Sequence, residues 1–227
     1  MKPDGKHQPY TDRRHAGMDL AAHLQPFRGR SDVVVIALPR AGVLVAYEVA
    51  TALSLRLDVL LVRKLGVPEH PELAMGAIAT RGVLVLDDDV VSSYSVPDDA
   101  IDRLARREQV DLEMRGRTFR EGRASLELRH RVVILVDDGL STLATMRAAI
   151  QAVRAHEPSR VIVAMPVAAA ETCAALREVA DEVVCAREPE RFAAAGAWYT
   201  DLSQTASDRD VRELLRSAAG KFVSTSQ

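Results

Sequence analysis

The chain has 227 residues, 48% hydrophobic and 27% charged, the composition of an ordinary globular protein with one large domain. Thirty basic and 32 acidic side chains give a net charge of −2, which argues against a general nucleic-acid or membrane-surface binder. The longest apolar run, residues 33–38, is too short to span a bilayer. The first fifteen residues are polar and lack the apolar segment typical of a secretory signal. Two cysteines, Cys173 and Cys185, are too few for a disulfide scaffold or a zinc ribbon. We therefore expect a cytoplasmic protein with a real core.

Six short segments predict buried strands, because most are rich in β-branched residues and end at turn-forming residues. They are residues 33–38, 57–62, 82–86, 132–136, 161–165 and 182–185. Strands that are apolar along their whole length favour a parallel sheet covered on both faces. Helical patterns follow three of them, at residues 43–53, 142–156 and 169–180. This alternation predicts an α/β fold with a doubly wound, mainly parallel sheet flanked by helices.

A long helical stretch at residues 97–120 does not fit that alternation. From residue 98 to 120, six side chains are acidic and six are arginines. Balanced charges with a thin apolar stripe predict a solvated helix on the rim of the sheet, and a lid or oligomer contact is the alternative. We expect a flexible N-terminus at 1–11, one domain at 12–218 with this helix inserted, a hood or C-terminal loop at 186–206 and a flexible tail at 219–227.

The segment 132–146 is the most informative. A buried strand runs into Asp137 and Asp138, then into a short Gly/Ser/Thr loop and a helix. Ligands of an open α/β sheet bind at the carboxyl ends of its strands. Backbone N–H groups at a helix N-terminus suit a phosphate, whereas two carboxylates would repel it and suit sugar hydroxyls or magnesium. A phosphorylated sugar satisfies both. The alternative is that the acids merely precede a helix that Ser141 or Thr142 caps.

The segment resembles the diphosphoribosyl-binding signature of type I phosphoribosyltransferases, a hydrophobic strand followed by Asp-Asp and a Thr-Gly-x-Thr-like loop. Five further motifs resemble one stand-alone bacterial branch of that family, and together they extend from about residue 12 to 215. These motifs are DRRHAG at 12–17, ALPRAG at 37–42, VRKLGVP at 62–68, PELAMGAI at 71–78 and WYTDLSQT at 198–205.

The resemblance implies a magnesium-dependent enzyme of nucleotide metabolism. A nitrogen nucleophile, usually a nucleobase, would displace pyrophosphate at C1 of 5-phosphoribosyl 1-pyrophosphate (PRPP). Its partners would be these small molecules, with neither nucleic acid nor membrane involved. Oligomeric state stays open, although the family commonly forms dimers.

The resemblance also implies roles by position. Asp137 and Asp138 would hold the ribose hydroxyls and Mg²⁺, and Arg63 and Lys64 would neutralise the leaving pyrophosphate. The PRPP-binding residues would be Asp137, Asp138, Gly139, Ser141, Thr142, Leu143, Ala144 and Thr145. The pyrophosphate-binding residues would be Arg40, Ala41, Gly42 and Lys64. The plain alternative for the basic residues is that they are solvated strand ends.

Two positions depart from the family pattern. Leu143 stands where a phosphate-loop glycine with positive φ is usual, and a leucine there would cost about 1–3 kcal/mol. Ala41 replaces a glycine in the pyrophosphate loop, where an unusual peptide geometry would be harder to hold. Both favour the alternative function, a non-catalytic module that binds PRPP or a nucleotide for regulation.

Residues 66–75, with two prolines and His70, resemble the mobile loop that closes over the active site of this fold. Trp198 and Tyr199 could stack on the acceptor or fill a small satellite core. The acids at 87–89 follow a strand without a glycine-rich loop, and we expect them to be solvent-exposed.

Overall fold

The computed structural model describes residues 8–80, 82–139, 143–189, 192, 195–203 and 206–224. The strands are β1 (Val33–Ala37), β2 (Arg56–Val59), β3 (Val62–Val67), β4 (His70–Ala79), β5 (Val83–Leu86), β6 (Val132–Val136), β7 (Arg160–Val167) and β8 (Glu182–Arg187). The helices are α1 (Arg13–His23), α2 (Gly42–Leu53), α3 (Asp88–Ser93), α4 (Asp98–Arg120), α5 (Leu143–Arg154), α6 (Ala170–Arg177) and α7 (Asp208–Ser224). No described helix is both long and apolar enough to cross a membrane.

Five strands form the predicted parallel sheet, in the order β2-β1-β6-β7-β8. After β1, the chain adds β2 on one side of β1. It later returns and adds β6 on the other side of β1, and β7 and β8 follow outward from β6. The boundary between β1 and β6 is thus the point where the strand order reverses, and ligands of such sheets bind at its carboxyl end. Asp137 and Asp138 follow β6 at this position.

Helices cover both faces of this sheet, which explains why its central strands are apolar throughout. In β1, Val33 and Val35 contribute to the core cluster that also contains buried side chains of α1, α2 and α7. Val34 and Ile36 contribute to the cluster on the other face, which contains side chains of α5 and α6. Neighbouring residues of a strand point to opposite faces, so an apolar strand supplies both clusters. The doubly wound α/β prediction is confirmed.

A second sheet corrects three expectations. Strand β5 belongs to an antiparallel sheet, β3-β4-β5, and not to the parallel one. The predicted strand at 57–62 is divided, because β2 ends at Val59 and β3 begins at Val62 in the other sheet. The predicted loop at 66–75 is mostly the β3–β4 hairpin, whose glycines make close backbone approaches. A Cβ on Gly66 would lie 2.4 Å from the Pro71 carbonyl oxygen.

The charged helix α4 packs against α7 and the second sheet, with Ile101 and Phe119 buried in the core. A buried ion pair ties its C-terminal end to β2. Arg120 Nε donates to Asp58 Oδ1 at 2.7 Å and Arg120 Nη2 donates to the Val59 carbonyl at 2.7 Å. The other carboxylate oxygen of Asp58 accepts from Leu126 N at 2.9 Å, so the pair also holds the chain that leads to β6.

Described residues near both ends of the domain differ from the expected flexible segments. Tyr10 lies within the segment expected to be flexible, yet it is fully buried and pairs with Tyr199 in an isolated parallel bridge. Helix α7 continues to Ser224, into the segment 219–227 where a flexible tail was expected. Short apolar patterns at chain ends carry little signal without their tertiary partners.

Replacing Arg120 with methionine should lower the free energy of unfolding by about 3–5 kcal/mol, because it leaves the Asp58 carboxylate buried without its cation. Urea denaturation followed by circular dichroism measures this. Arg117→Met is the matched control, since Arg117 is an exposed arginine in the same last turn of α4. Equal stability losses in the two variants would contradict a structural role for the pair.

Candidate active site

Two loops meet where β1 and β6 end side by side. Ala37 pairs with Val136, and Leu38 N donates to the Val136 carbonyl at 3.0 Å. The loop after β1 leads into α2 at Gly42, against the buried Asp137. A Cβ on Gly42 would lie 3.1 Å from Asp137 Oδ1, so glycine allows the two loops to touch. The predicted acidic pair and the predicted pyrophosphate loop are therefore neighbours.

Asp138 is fixed by a buried arginine that the sequence analysis did not identify. Arg13 Nε donates to Asp138 Oδ2 at 2.9 Å, and the side chains are 6% and 4% exposed. Arg13 also reaches the Leu202 carbonyl at 3.5 Å. One signal was available: Arg13 is in the first turn of α1, where the helix dipole disfavours a cation, so another group must hold it there.

Trp198 and Tyr199 do not offer ring faces to an acceptor, which corrects that expectation. They are only 1% and 5% exposed and pack with Tyr10 in a small core cluster. The Tyr199 hydroxyl donates to the Asp138 carbonyl at 2.6 Å, so this aromatic residue supports the acidic pair from behind. Burial, and secondly the negative charge of Asp138, raises the pKa of Tyr199, which keeps its hydroxyl protonated as a donor.

The loop after Asp138 begins with a glycine that cannot be replaced freely. Gly139 has φ +85°, and a Cβ there would lie 2.1 Å from the Val167 carbonyl oxygen. Ser141 and Thr142, both predicted to contact phosphate, lie outside the described residues.

Leu143 is the first residue of the right-handed helix α5, where the sequence led us to expect a left-handed conformation. Its side chain is half-buried against the apolar core under α5. Ala144 is exposed and Thr145 half-buried in the same first turn. The helix N-terminus therefore tolerates leucine where glycine was expected.

The loop after β1 contains a cis peptide bond between Pro39 and Arg40. The sequence led us to expect that Ala41 would make such a geometry hard to hold, but Ala41 follows it with ordinary right-handed helical angles. A cavity of about 210 Å³ opens beside this loop. Its lining residues are Pro39, Arg40, Leu61, Val62, Arg63, Leu112 and Arg115.

Three arginines from separate elements thus converge on one cavity, and two carboxylates hold them. Asp208 Oδ1 lies 3.1 Å from Arg40 Nε in an ion pair and accepts a hydrogen bond from Arg115 Nη2 at 2.8 Å, and Glu108 pairs with Arg63. Arg115 belongs to the charged helix α4, and nothing in the local sequence distinguishes it from the other arginines there. The cavity offers the cation density that a polyanion requires.

Lys64 does not join this cluster, which corrects its assignment to the pyrophosphate loop. Adjacent residues of a strand point to opposite faces, so Arg63 and Lys64 of β3 cannot reach the same ligand group together. Lys64 instead lines a larger cavity, of about 530 Å³, with Leu143, Ala144 and Arg147 of α5. This cavity reaches the first turn of α5 and does not include Arg40 in its lining.

Asp137 and Asp138 can also contribute to a magnesium site. One carboxylate oxygen of Asp138 binds Arg13, so the two acids offer fewer oxygens to a metal ion than the sequence suggests. Mg²⁺ is commonly held by one or two carboxylates together with substrate phosphates and water, so this donor set fits the ion.

Comparison with known proteins agrees with this geometry. The family model described as "Phosphoribosyl transferase domain" matches residues 15–196. Two Mycobacterium tuberculosis proteins, named "Putative phosphoribosyl transferase" Rv0571c and MT0597, are each 45% identical over 207 residues, which is 91% of this chain. The match covers 46% of each relative, so the chain spans about half the length of the curated relatives it matches.

A crystal structure of the protein TT1426 from Thermus thermophilus superimposes with a TM-score of 0.78 at 42% identity. The alignment covers 92% of this chain and 98% of that one. Family model, relatives and fold lead to the same conclusion: the chain belongs to the phosphoribosyl transferase domain family.

Proposed function

We propose that this domain transfers the 5-phosphoribosyl group of PRPP to a nitrogen nucleophile, with magnesium, and releases pyrophosphate. The proposal rests on the contact between two loops, of which one is acidic and the other borders an arginine-lined cavity. The buried acids after β6 suit sugar hydroxyls, and the arginine-lined cavity beside the loop after β1 suits a diphosphate. PRPP presents a diphosphate on C1, directly beside its ribose hydroxyls.

The acidic pair would bind the ribose ring and stabilise charge. Displacement at C1 passes through an oxocarbenium-like state, in which the sugar becomes positive as the C–O bond to pyrophosphate breaks. A preorganised carboxylate favours that state because it need not reorient when the charge develops. Arg13 and Tyr199 provide this preorganisation, since they hold Asp138 by its side chain and its backbone carbonyl.

Arg40, Arg63 and Arg115 would receive the pyrophosphate. They lie at the same cavity, and their guanidinium groups can form paired hydrogen bonds with phosphate oxygens. Asp208 and Glu108 would have to release them first. Bound Mg²⁺ would neutralise part of the diphosphate charge, and Asp137 and Asp138 would hold it.

The first turn of α5 would bind the 5′-phosphate through backbone N–H groups and the helix dipole. Leu143, Ala144 and Thr145 belong to this turn, and Ser141 and Thr142 remain predicted contacts. Lys64 lines the cavity beside it and could add a cation to this phosphate rather than to the pyrophosphate.

The non-catalytic alternative was based on strain at two positions. Leu143 is the first residue of helix α5, and Ala41 has ordinary right-handed helical angles. Both observations support the transferase proposal. The acceptor is proposed only by its chemistry, a nitrogen nucleophile such as a nucleobase.

Wild-type protein should bind PRPP in the presence of Mg²⁺, and the Asp137→Asn/Asp138→Asn variant should bind at least about tenfold more weakly, because it removes charge from the ribose and metal site. Isothermal titration calorimetry measures both. Asp88→Asn/Asp89→Asn is the matched control, since it neutralises another adjacent acid pair that is fully exposed on α3.

Pyrophosphate release in the presence of PRPP, Mg²⁺ and a panel of nucleobases then tests the chemical step. Binding without release for any nitrogen acceptor would support the regulatory module. Wild-type protein that fails to bind PRPP at millimolar concentration would overturn the transferase, and titration with nucleotides would then test the regulatory module.

Arg115→Met should weaken binding of magnesium pyrophosphate about tenfold, because it removes one charged hydrogen-bond donor. Asp208→Asn should tighten the same binding, by up to about fivefold, because a half-exposed carboxylate no longer competes for Arg40 and Arg115. Calorimetry with inorganic pyrophosphate measures both shifts. Arg106→Met, an exposed arginine of the same helix, should change nothing. Unchanged affinity in Arg115→Met would remove α4 from the site.

A further inference from the structure

Two cysteines and a glutamate form a cluster on the edge of the parallel sheet. Cys173 lies on α6, Cys185 on β8, and Glu188 directly follows that strand. The two sulfur atoms and a carboxylate oxygen of Glu188 all lie within 4.8 Å of one another. Neither cysteine forms a disulfide, and none of the three residues contributes to the proposed phosphoribosyl site.

We propose that Cys173, Cys185 and Glu188 bind a thiophilic divalent cation of the Zn²⁺ class, with a fourth position left for water. Two thiolates and one carboxylate match the ligand types of zinc, whereas magnesium and calcium prefer oxygen ligands alone.

The distances suit such a site. Zinc bonds of about 2.3 Å to sulfur and about 2.0–2.2 Å to oxygen place tetrahedral ligand atoms roughly 3.3–3.8 Å apart. The three donor atoms of the cluster need to close by about 1.5 Å at most from their upper bound of 4.8 Å. Ordinary side-chain rotation supplies that movement.

The cluster has one side buried in the protein and one side exposed to solvent. Cys173 is fully buried, Cys185 is half-buried, and the Glu188 side chain is 29% exposed. An ion can therefore enter from the solvent beside Glu188 and come to rest against the apolar face of α6. Partial burial also reduces exchange of the bound ion with solvent.

The surrounding charge fits a bound cation once the ligands have ionised. Cys185 Sγ now donates to the Arg187 carbonyl at 3.3 Å, and Arg177 pairs with Glu188. Metal binding would release both thiol protons to solvent and give a centre of two thiolates, one carboxylate and a divalent cation, with a net charge of −1. Arg177, one helix turn after Cys173, would neutralise it from outside.

Such an ion would join α6 to the edge strand of the sheet. Beyond Glu188, the chain leads to Trp198 and Tyr199, which pack behind the acidic pair. The metal would therefore have a structural role, at the base of the segment that supports the ligand site.

The test is titration of the reduced, metal-free full chain with Co²⁺, followed by displacement with Zn²⁺. Wild type should bind one equivalent and develop thiolate-to-cobalt charge-transfer absorption, which Zn²⁺ abolishes, and Zn²⁺ should raise Tm. Cys173→Ser and Cys185→Ser should each lose the absorption. Glu188→Gln should bind at least about tenfold more weakly. Glu178→Gln, an exposed acid at the end of α6, is the matched control and should bind like wild type.

Absence of the charge-transfer band in wild type with two titratable thiols would overturn the proposal. So would loss of both thiols in air without metal uptake, which would identify a redox-active cysteine pair instead. If the serine variants fail to fold, as judged by circular dichroism, Glu188→Gln decides the matter, because Glu188 lies outside the core. Wild-type affinity in that variant would exclude the three-ligand site.

Discussion

The buried ion pair between Arg13 and Asp138 is the interaction on which the ligand site depends. A carboxylate and a guanidinium removed from water each incur several kcal/mol of desolvation, so neither is stable there without the other. The backbone carbonyl of Asp138 also accepts a hydrogen bond from the Tyr199 hydroxyl. The first helix, the end of the central strand and the segment around Tyr199 therefore adopt their positions together. Rigid support of this kind suits a site that must stabilise charge without reorganising.

The parallel sheet was predictable because its signal is local. Strand β6 was predicted with its observed bounds, 132–136, since both faces of a central strand must be apolar. The β3–β4 hairpin was not recognised, because its half-exposed strands contain glycine, proline and charged residues that also occur in loops. Because β3 was not predicted as a strand, its side-chain alternation was not predicted either, and that alternation places Arg63 and Lys64 in different cavities. Periodicity can be interpreted only after the strand itself has been identified.

The residues of the candidate site were also predicted where the signal is local and missed where it is not. Asp137, Asp138 and Gly139 were predicted because strand, acids and helix are consecutive in sequence. Arg115 was missed because it reaches the site from α4 through a contact that no local pattern encodes. Arg13 lies in the motif recognised at residues 12–17, but its role was missed because its partner Asp138 is 125 residues away. The two cysteines illustrate this as well, since their spacing suggested no site until α6 and β8 placed their sulfur atoms together. Trp198 and Tyr199 were misassigned because burial of a large side chain depends on its partners.

The long-range pairing at Asp138 also has a consequence for protein synthesis. Its arginine partner precedes it by 125 residues and its tyrosine partner follows it by 61. A ribosome therefore releases the first helix long before its counter-charge exists, and the hydroxyl donor is synthesised later still. Contacts of such sequence separation form late in folding. An incomplete nascent chain lacks an organised ligand site, so a ligand of this site would select the finished domain over its unfinished precursors.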